Sequence, residues 1–365
     1  MFWFLLFTIL PFLGLAYVIW HIWVLIPLPT LWKGIIVAFG IASFLTLFLD
    51  MSGRLEKFPL PVSRILYEIG TSSILVLLYM TIVFLLLDFG RLIHLVPRTW
   101  LFNNGVTTVA LLGGLLTVFI CGHIHYNNKV RVALDIKTTK PLNHDYTIVM
   151  VSDLHLGYHN TRNDLTHWIE LINAEHPDLV LIAGDIIDIS VHPLIEDNMA
   201  AEFRRIQAPV YACLGNHEYY SGEPRAQAFY KEAGIHLLRD TVVGNEDLCI
   251  IGRDDRSNPH RLALRKITHE ADMSKFLILL DHQPYHLEQA QQAGIDFQFS
   301  GHTHEGQVWP ISWITHALYE CAYGEHQRNN THYYVSSGLG IWGGKYRIGT
   351  QSEYVVLSLR TEKER

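Results

Sequence analysis

Four apolar stretches stand ahead of residue 127: Phe2–Leu25, Leu31–Leu49, Gly70–Leu87 and Gly105–Gly122. Each approaches the roughly 20 residues that a helix needs to cross the hydrocarbon core of a bilayer. They are apolar around the whole helical circumference, whereas a helix packed into a soluble core needs only one apolar face. A secretory signal does not account for the first, because residues 1–20 lack a basic start and further apolar stretches follow. The pattern predicts four membrane spans.

Hydrophobic residues make up 49% of the 365-residue chain, and their excess lies ahead of Asn127. The shift in composition sets a boundary between a four-span region, 1–126, and a water-soluble domain, 127–365. Lys and Arg in short loops set orientation. Lys33 stands near the first loop, and Arg91 and Arg98 in the third; Arg54, Lys57 and Arg64 stand in the second. Lys129, Arg131, Lys137 and Lys140 follow the last span. This bias predicts a multi-pass cell-membrane protein with the soluble domain in the cytoplasm.

Of the four cysteines, Cys121 lies in the last span and Cys213, Cys249 and Cys321 in the soluble part. The three in the soluble part are an odd, widely spaced set rather than a disulfide framework, and the lack of CxxC spacing argues against a thiolate zinc site. A net charge of −7 without a basic stripe argues against a nucleic-acid surface.

From Lys129 the pattern changes to short strand-like runs divided by turn residues. "VRVALDI" alternates, whereas "YTIVMVSD", "DLVLIAGD", "PVYACLGNHE", "FLILLDHQP" and "DFQFSGHTH" are apolar runs that stop at polar residues. Helix-like segments lie between, at Arg162–Glu175, Leu194–Ile206, Pro224–Ala233 and Tyr285–Ala293. Buried strands alternating with helices argue for layered α/β architecture.

The runs stop at Asp153 and His155, at Asp185 and Asp188, at Asn216 and His217, at His282, and at His302 and His304. Ligands of α/β sheets collect beyond the carboxyl ends of the strands, so these side chains are expected to converge. Singly, each has a plainer reading. "AGDIID" suits a strand followed by an Asp-capped helix, "GNHE" suits a turn, and His282 before "QP" suits a loop. "GHIH", Gly122–His125, repeats the spacing of "GHTH" where the fourth span ends, and interfacial histidines explain it.

Together the clusters are specific. "SDLHLG", "GDIID", "GNHE", the isolated histidine of "DHQP" and "GHTHEGQ" follow the order of the five motifs of the calcineurin-like metallophosphoesterase superfamily, which residues 129–365 resemble. "IGRDD", "LDHQPYHLEQAQQAGIDFQFSGHTHEGQ" and "VSSGLGIWGGKYRIG" look like its bacterial membrane-associated phosphodiesterase branch. The resemblance implies a layered α/β/β/α sandwich and a centre of two divalent ions. Asp153, His155 and His304 would bind one ion, Asp185 would bridge, and Asn216, His282 and His302 would complete the second. Mixed imidazole and carboxylate ligands suit Mn, Fe or Zn better than Ca or Mg, and Mn²⁺ is expected to support activity.

His217 would then be the catalytic residue, stabilising or protonating the leaving oxygen. Asp188 and Glu218 would orient ligands, with a helix cap or surface position as the plainer reading. Glu305 stands where the branch usually has glycine, which bears on substrate range rather than on the metals. Lys345 and Arg347 lie in the glycine-rich "GLGIWGGKYRIG", where they would meet phosphate or sit in a solvated turn. Tyr219 and Tyr220 would stack on a base or sugar, or simply pack. The aromatic "VWPISWITHALYECAYG" suits either a lid leaning toward lipid or ordinary core.

These features describe a membrane-anchored phosphoesterase, acting on phosphodiester or pyrophosphate bonds. A lipid-linked molecule of the UDP-2,3-diacylglucosamine type is one candidate substrate. The alternative is a metal-binding sensor or transporter-associated module without turnover. It requires charges lining a path through the spans, where Asp50 and Asp88 are the candidates, both at span ends.

Overall fold

The computed structural model describes residues 2–362, with side chains from residue 9 onward except at residue 50. It divides into two compact units: the chain up to His123 with Gly343–Lys345, and the remainder.

The first unit holds α1 (Phe2–Leu25), α2 (Thr30–Met51), α3 (Leu60–Leu92) and most of α4 (Gly105–Asn127). Among the described residues three stretches are long and apolar enough to cross a membrane: Thr30–Leu49, Leu60–Leu92 and Gly105–Asn127. The apolar stretch of α1 described in full, Ile9–Leu25, is shorter. Helix α3 begins at Leu60 rather than Gly70, because Pro59 and Pro61 suit a helix start. The polar Arg64 and Glu68 hide those first turns from a hydropathy reading.

Small residues let these helices approach. A Cβ on Gly70 would lie 2.8 Å from the backbone nitrogen of Leu47 in α2, the close contact that membrane helices make through glycine. The amides of Asn103 and Asn104 donate to the carbonyls of Val24 and Leu25, 2.9 Å each. Carbonyls at the end of α1 are thereby satisfied, which lipid would not do. Asp88, expected at a span end, lies inside α3 and accepts from Tyr17 at 2.8 Å, with His21 at 3.1 Å.

Among its described residues the second unit carries twelve strands. The first six are β1 (Lys129–Thr138), β2 (Tyr146–Val151), β3 (Leu179–Ala183), β4 (Val210–Cys213), β5 (His236–Leu237) and β6 (Thr241–Gly244). The others are β7 (Leu248–Gly252), β8 (Phe276–Leu280), β9 (Phe297–Ser300), β10 (Gly324–Arg328), β11 (Thr331–Val335) and β12 (Ser352–Thr361). They form two six-stranded sheets, ordered β1-β12-β2-β3-β4-β5 and β10-β11-β9-β8-β7-β6. Strands β2, β3 and β4 run parallel in one, as do β7, β8 and β9 in the other.

The helices of this unit are α5 (Arg162–Ala174), α6 (His192–Glu196), α7 (Met199–Phe203), α8 (Asn216–Tyr220) and α9 (Glu223–Ala233). After them come α10 (Leu264–Thr268), α11 (Glu288–Gln292) and α12 (Ile311–Leu318). Ile148, Met150 and Leu181 of one sheet pack against Ile278, Leu280, Phe297 and Phe299 of the other. Val149, Val180 and Ala212, on the opposite face of the first sheet, pack on α5, α7 and α9 through Trp168, Phe203 and Phe229. Ile251, Leu277 and Leu279 pack on α10 and α11. The strands are apolar on both faces because both faces are covered, which gives the expected α/β/β/α layers.

Two helical expectations are corrected. Leu194–Ile206 is two short helices, because Asn198 adopts a left-handed φ of 53°. Tyr285–Ala293 is helical only over Glu288–Gln292, since His286 has a φ of 58°.

Phe299 is fully buried between the sheets. Phe299→Ala is therefore expected to cost about 3–5 kcal/mol, read from the denaturant midpoint of the purified chain. A cost below about 1 kcal/mol would contradict close packing between the sheets.

Candidate metal centre

Strands β2, β3, β4, β8 and β9 deliver their polar ends to one crevice. Asp153 and His155 follow β2, Asp185 and Asp188 follow β3, and Asn216 and His217 open α8 after β4. His282 follows β8, and His302 and His304 follow β9. Asp153, His155, Asp185, His302 and His304 all take left-handed φ values, between 44° and 71°. Such conformations cost of order 1–3 kcal/mol each for residues with a side chain and persist only where the surroundings enforce them.

The turned side chains converge in three groups whose potential ligand atoms lie within 4.8 Å of one another: Asp153, His155 and His304; His155, Asp185 and His217; Asp185, His282 and His302. Asp185 and His155 each belong to two of these groups. His155 Nε2 faces His304 Nε2 at 3.1 Å, a separation that requires a proton or a cation between the two nitrogens. Asp153 Oδ1 lies 3.5 Å from His304 Nε2, and Asp185 Oδ2 lies 3.0 Å from His282 Nε2. The buried Asn216 side-chain oxygen has no hydrogen-bond partner among the described residues, as a ligand oxygen held ready would not.

The ring orientations are set from behind. His282 Nδ1 sits 2.7 Å from the Ala183 carbonyl and His217 Nδ1 sits 3.1 Å from the Asp188 carbonyl. Nδ1–H donates there, which leaves Nε2 for the crevice. Asp188 Oδ1 lies 3.3 Å from Nδ1 of both His155 and His217, so this carboxylate faces the outer nitrogens of two rings.

Glu218 is fully buried and accepts from three backbone amides: Gly215 at 2.7 Å, Ile187 at 3.0 Å and Asp185 at 3.1 Å. One carboxylate thereby clamps the loops after β3 and β4. A Cβ on Gly215 would fall 2.1 Å from Asp185 Oδ1, and one on Gly301 2.2 Å from Asp153 Oδ2. Both carboxylates occupy space that only glycine leaves.

Burial works against ionisation of Asp153 and Asp185, but the imidazoles of His304 and His282 hold both carboxyls well below the usual range. Burial likewise opposes charge on His155, yet the carboxylates of Asp153 and Asp188 beside it prevail and push it up to about 10. Burial, with His282 beside it, lowers His302 to about 4, and burial lowers His304 to about 3. A lowered value favours the neutral imidazole, the form that ligates.

The expected substrate contacts do not join this cluster. Arg347 is fully buried, and its guanidinium donates to the His304 carbonyl at 2.7 Å, to the carbonyls of Ser337 and Gly340, and to Ser352 Oγ. Its donors are spent on the chain rather than offered to phosphate. Lys345 belongs to the segment grouped with the helical unit, where its carbonyl lies 3.1 Å from His123 Nδ1. The Tyr219 hydroxyl donates to Asp254 at 2.6 Å, away from the donor groups. Tyr220 is exposed, its ring 5.1 Å from that of His217. Glu305 is in none of the three groups, and burial, opposed by Arg347, raises its carboxyl to about 7. "GHIH" contributes to none of them either.

Sequence reasoning missed Asn160. Its buried carboxamide donates to the carbonyls of Leu154, His155 and Ile341 and accepts from the Tyr126 hydroxyl at 2.6 Å. It fixes the loop that carries Asp153 and His155. A polar residue closing "HLGYHN" was the available signal.

Known proteins resemble this chain. The calcineurin-like phosphoesterase family model matches residues 146–306. An uncharacterized metallophosphoesterase of Campylobacter jejuni is 32% identical over 266 residues, 68% of this chain and 69% of that protein. Another, from Helicobacter pylori, is 30% identical over 60% of each chain. A "transmembrane protein with metallophosphoesterase domain" of Danio rerio is 29% identical over 58% of this chain and 53% of that protein. The chain thus spans little more than half the length of the last two.

Glu218→Gln removes an acceptor that the Asp185, Ile187 and Gly215 amides require. Binding of Mn²⁺, measured by competition with a chromogenic chelator, is expected to weaken about 10–100-fold. Unchanged affinity would show that the clamp does not orient Asp185.

Proposed function

The chain belongs to the calcineurin-like phosphoesterase family, and from that premise we propose a membrane-anchored, dinuclear-metal-dependent phosphodiesterase. The observation that carries this reading is the chain of three donor groups linked through His155 and Asp185. Linked groups suit two ions that share a carboxylate. Asp153, His155 and His304 would hold one, Asp185 would be common to both, and Asn216, His282 and His302 would complete the other. The unpaired Asn216 oxygen and the back of the His282 ring, tied to the Ala183 carbonyl, support that fit. The mixed donor set leaves Mn, Fe and Zn, of which Mn²⁺ is proposed for activity in vitro.

Two divalent ions there would neutralise phosphoryl oxygens and lower the pKa of a bound water. The chain's own residues supply orientation and protons. His217, anchored through Nδ1 to the Asp188 carbonyl, presents Nε2 to the crevice, from which its protonated ring can donate to the leaving oxygen. The His217 amide donates to Asp185 Oδ1 at 2.9 Å, so proton donor and shared ligand are held in one unit. Asp188 steadies His155 and His217 together.

Phosphodiesters or pyrophosphates are the proposed bonds, and the apolar helices make a lipid-linked substrate attractive, a UDP-diacylglucosamine-type molecule among them. With α1 as a fourth span, the basic residues of the second loop and after α4 favour a cytoplasmic catalytic unit.

Hydrolysis of bis(p-nitrophenyl) phosphate by the detergent-purified chain is expected to require Mn²⁺ and to stop on chelation. His217→Ala should lower kcat by about 10²–10⁴-fold, and Asp185→Asn should lose metal as well as activity. A metal-replete chain that turns over no phosphodiester would sink the proposal. Separately, a green fluorescent protein fused at the C-terminus should fluoresce, whereas an active alkaline phosphatase fusion would place the catalytic unit outside.

A further inference from the structure

Helix α12 wears its polarity inside out. Its one buried side chain is Ser312, while Trp313, Ile314 and Leu318 are 67%, 55% and 70% exposed. Trp309, just ahead of the helix, is 39% exposed and meets Trp313 edge to face at 5.3 Å. From Gly306 to Tyr319 the sequence contains no Asp, Glu, Lys or Arg. Elsewhere in this unit exposed aliphatic side chains stand singly, as at Ile195, Leu262 and Met273, which is ordinary for a protein surface. Four within one short segment make a patch.

We propose that α12, with Trp309, is an interfacial anchor that lies in the headgroup region of the bilayer its own chain crosses. Three observations commit the patch to lipid. Tryptophan concentrates at membrane–water interfaces, where its ring is buried and its N–H stays wet. The segment is free of the charges that rim a typical protein-binding surface. The third observation is connectivity. Helix α4, of membrane-crossing length, ends at Asn127, and β1 of the unit bearing α12 begins at Lys129. A bilayer is thereby tethered to this unit, and a second contact with it is intramolecular, so even a weak apolar helix suffices.

The anchor borders the candidate centre at both ends. Gly306, close after His304, packs so tightly that a Cβ there would fall 2.5 Å from the Ser312 amide. Tyr319, at the other end, has its ring 6.4 Å from that of His302 and its hydroxyl 2.8 Å from the Tyr285 hydroxyl. An anchored α12 holds the crevice at headgroup level, where phosphate carried by an amphiphile resides. That last step rests on the phosphoesterase reading; the anchor itself rests only on the membrane-crossing helices.

The test uses the full chain in vesicles of phosphatidylcholine and phosphatidylglycerol, with Cys121→Ser removing the one exposed cysteine, since Cys213, Cys249 and Cys321 are buried. A bimane label is placed in turn at Trp313→Cys, at Leu318→Cys and, as a reference, at Ile195→Cys, which is 64% exposed in the same unit. Labels at 313 and 318 are expected to be quenched by lipid-attached nitroxides, at roughly 5–10 Å below the headgroups, and shielded from aqueous iodide. The label at 195 should behave in the opposite way. Labels at 313 and 318 as open to iodide as the reference would overturn the anchor, and shielding from both quenchers would overturn it in favour of a protein contact. A chain that fails to float with the vesicles would overturn the crossing helices and the anchor together, which distinguishes that failure from the others. None of these readouts depends on catalysis.

Discussion

Asp153, Asp185, His155 and His282 are sealed almost completely from solvent where strands of two sheets end, and groups that ionise are not carried so deep without partners. That constraint shapes the α/β unit. The carboxylates are held by the imidazoles facing them and by backbone amides, two of which, from His302 and His217, reach Asp153 and Asp185. His282 is held from behind by the Ala183 carbonyl, and His155 is faced from behind by the Asp188 carboxylate. Glu218 gathers three amides from two loops, and Arg347 gathers carbonyls from two others. Each of these two charged residues satisfies backbone that helix or sheet cannot, because the chain has just left a strand.

The geometry is bought with strain. Five left-handed residues at about 1–3 kcal/mol each approach the whole net stability of a typical domain, about 5–15 kcal/mol. An arrangement of this kind survives only on a platform that does not yield. The platform here is the interlocked layer between the sheets, where Ile148, Met150, Leu181, Ile278, Phe297 and Phe299 leave the strands no freedom to slide. Rigidity in the apolar layer and strain at its edge are two sides of one design.

Much of this was legible in the sequence because burial on both faces leaves continuous apolar runs, and each run breaks off where the crevice begins. The five strand ends and their Asp, Asn and His residues could therefore be read directly. What escaped depends on partners remote along the chain. Arg347 sits among glycines and reads as a solvated or phosphate-facing cation, yet the carbonyls that absorb its donors come from the loops around His304 and Ser337–Gly340. Tyr219 is drawn aside by Asp254. The break at Asn198 is a single backbone angle within a stretch of good helical composition. The aromatic segment after His304 read as either core or lid, and only its exposure separates the two.

Strand β12 lies between β1 and β2, parallel to the first over ten paired residues and antiparallel to the second. In the order of synthesis, β1 emerges directly after the last apolar helix and β12 only after every other strand of both sheets. The first sheet therefore has a gap through most of translation, with one edge of β1 and one of β2 open to any passing strand. Closure is a contact between distant parts of the chain, the slowest kind to form. Biogenesis of this protein is thus a race between the arrival of its own late strand and capture of the open edges by a neighbouring nascent chain.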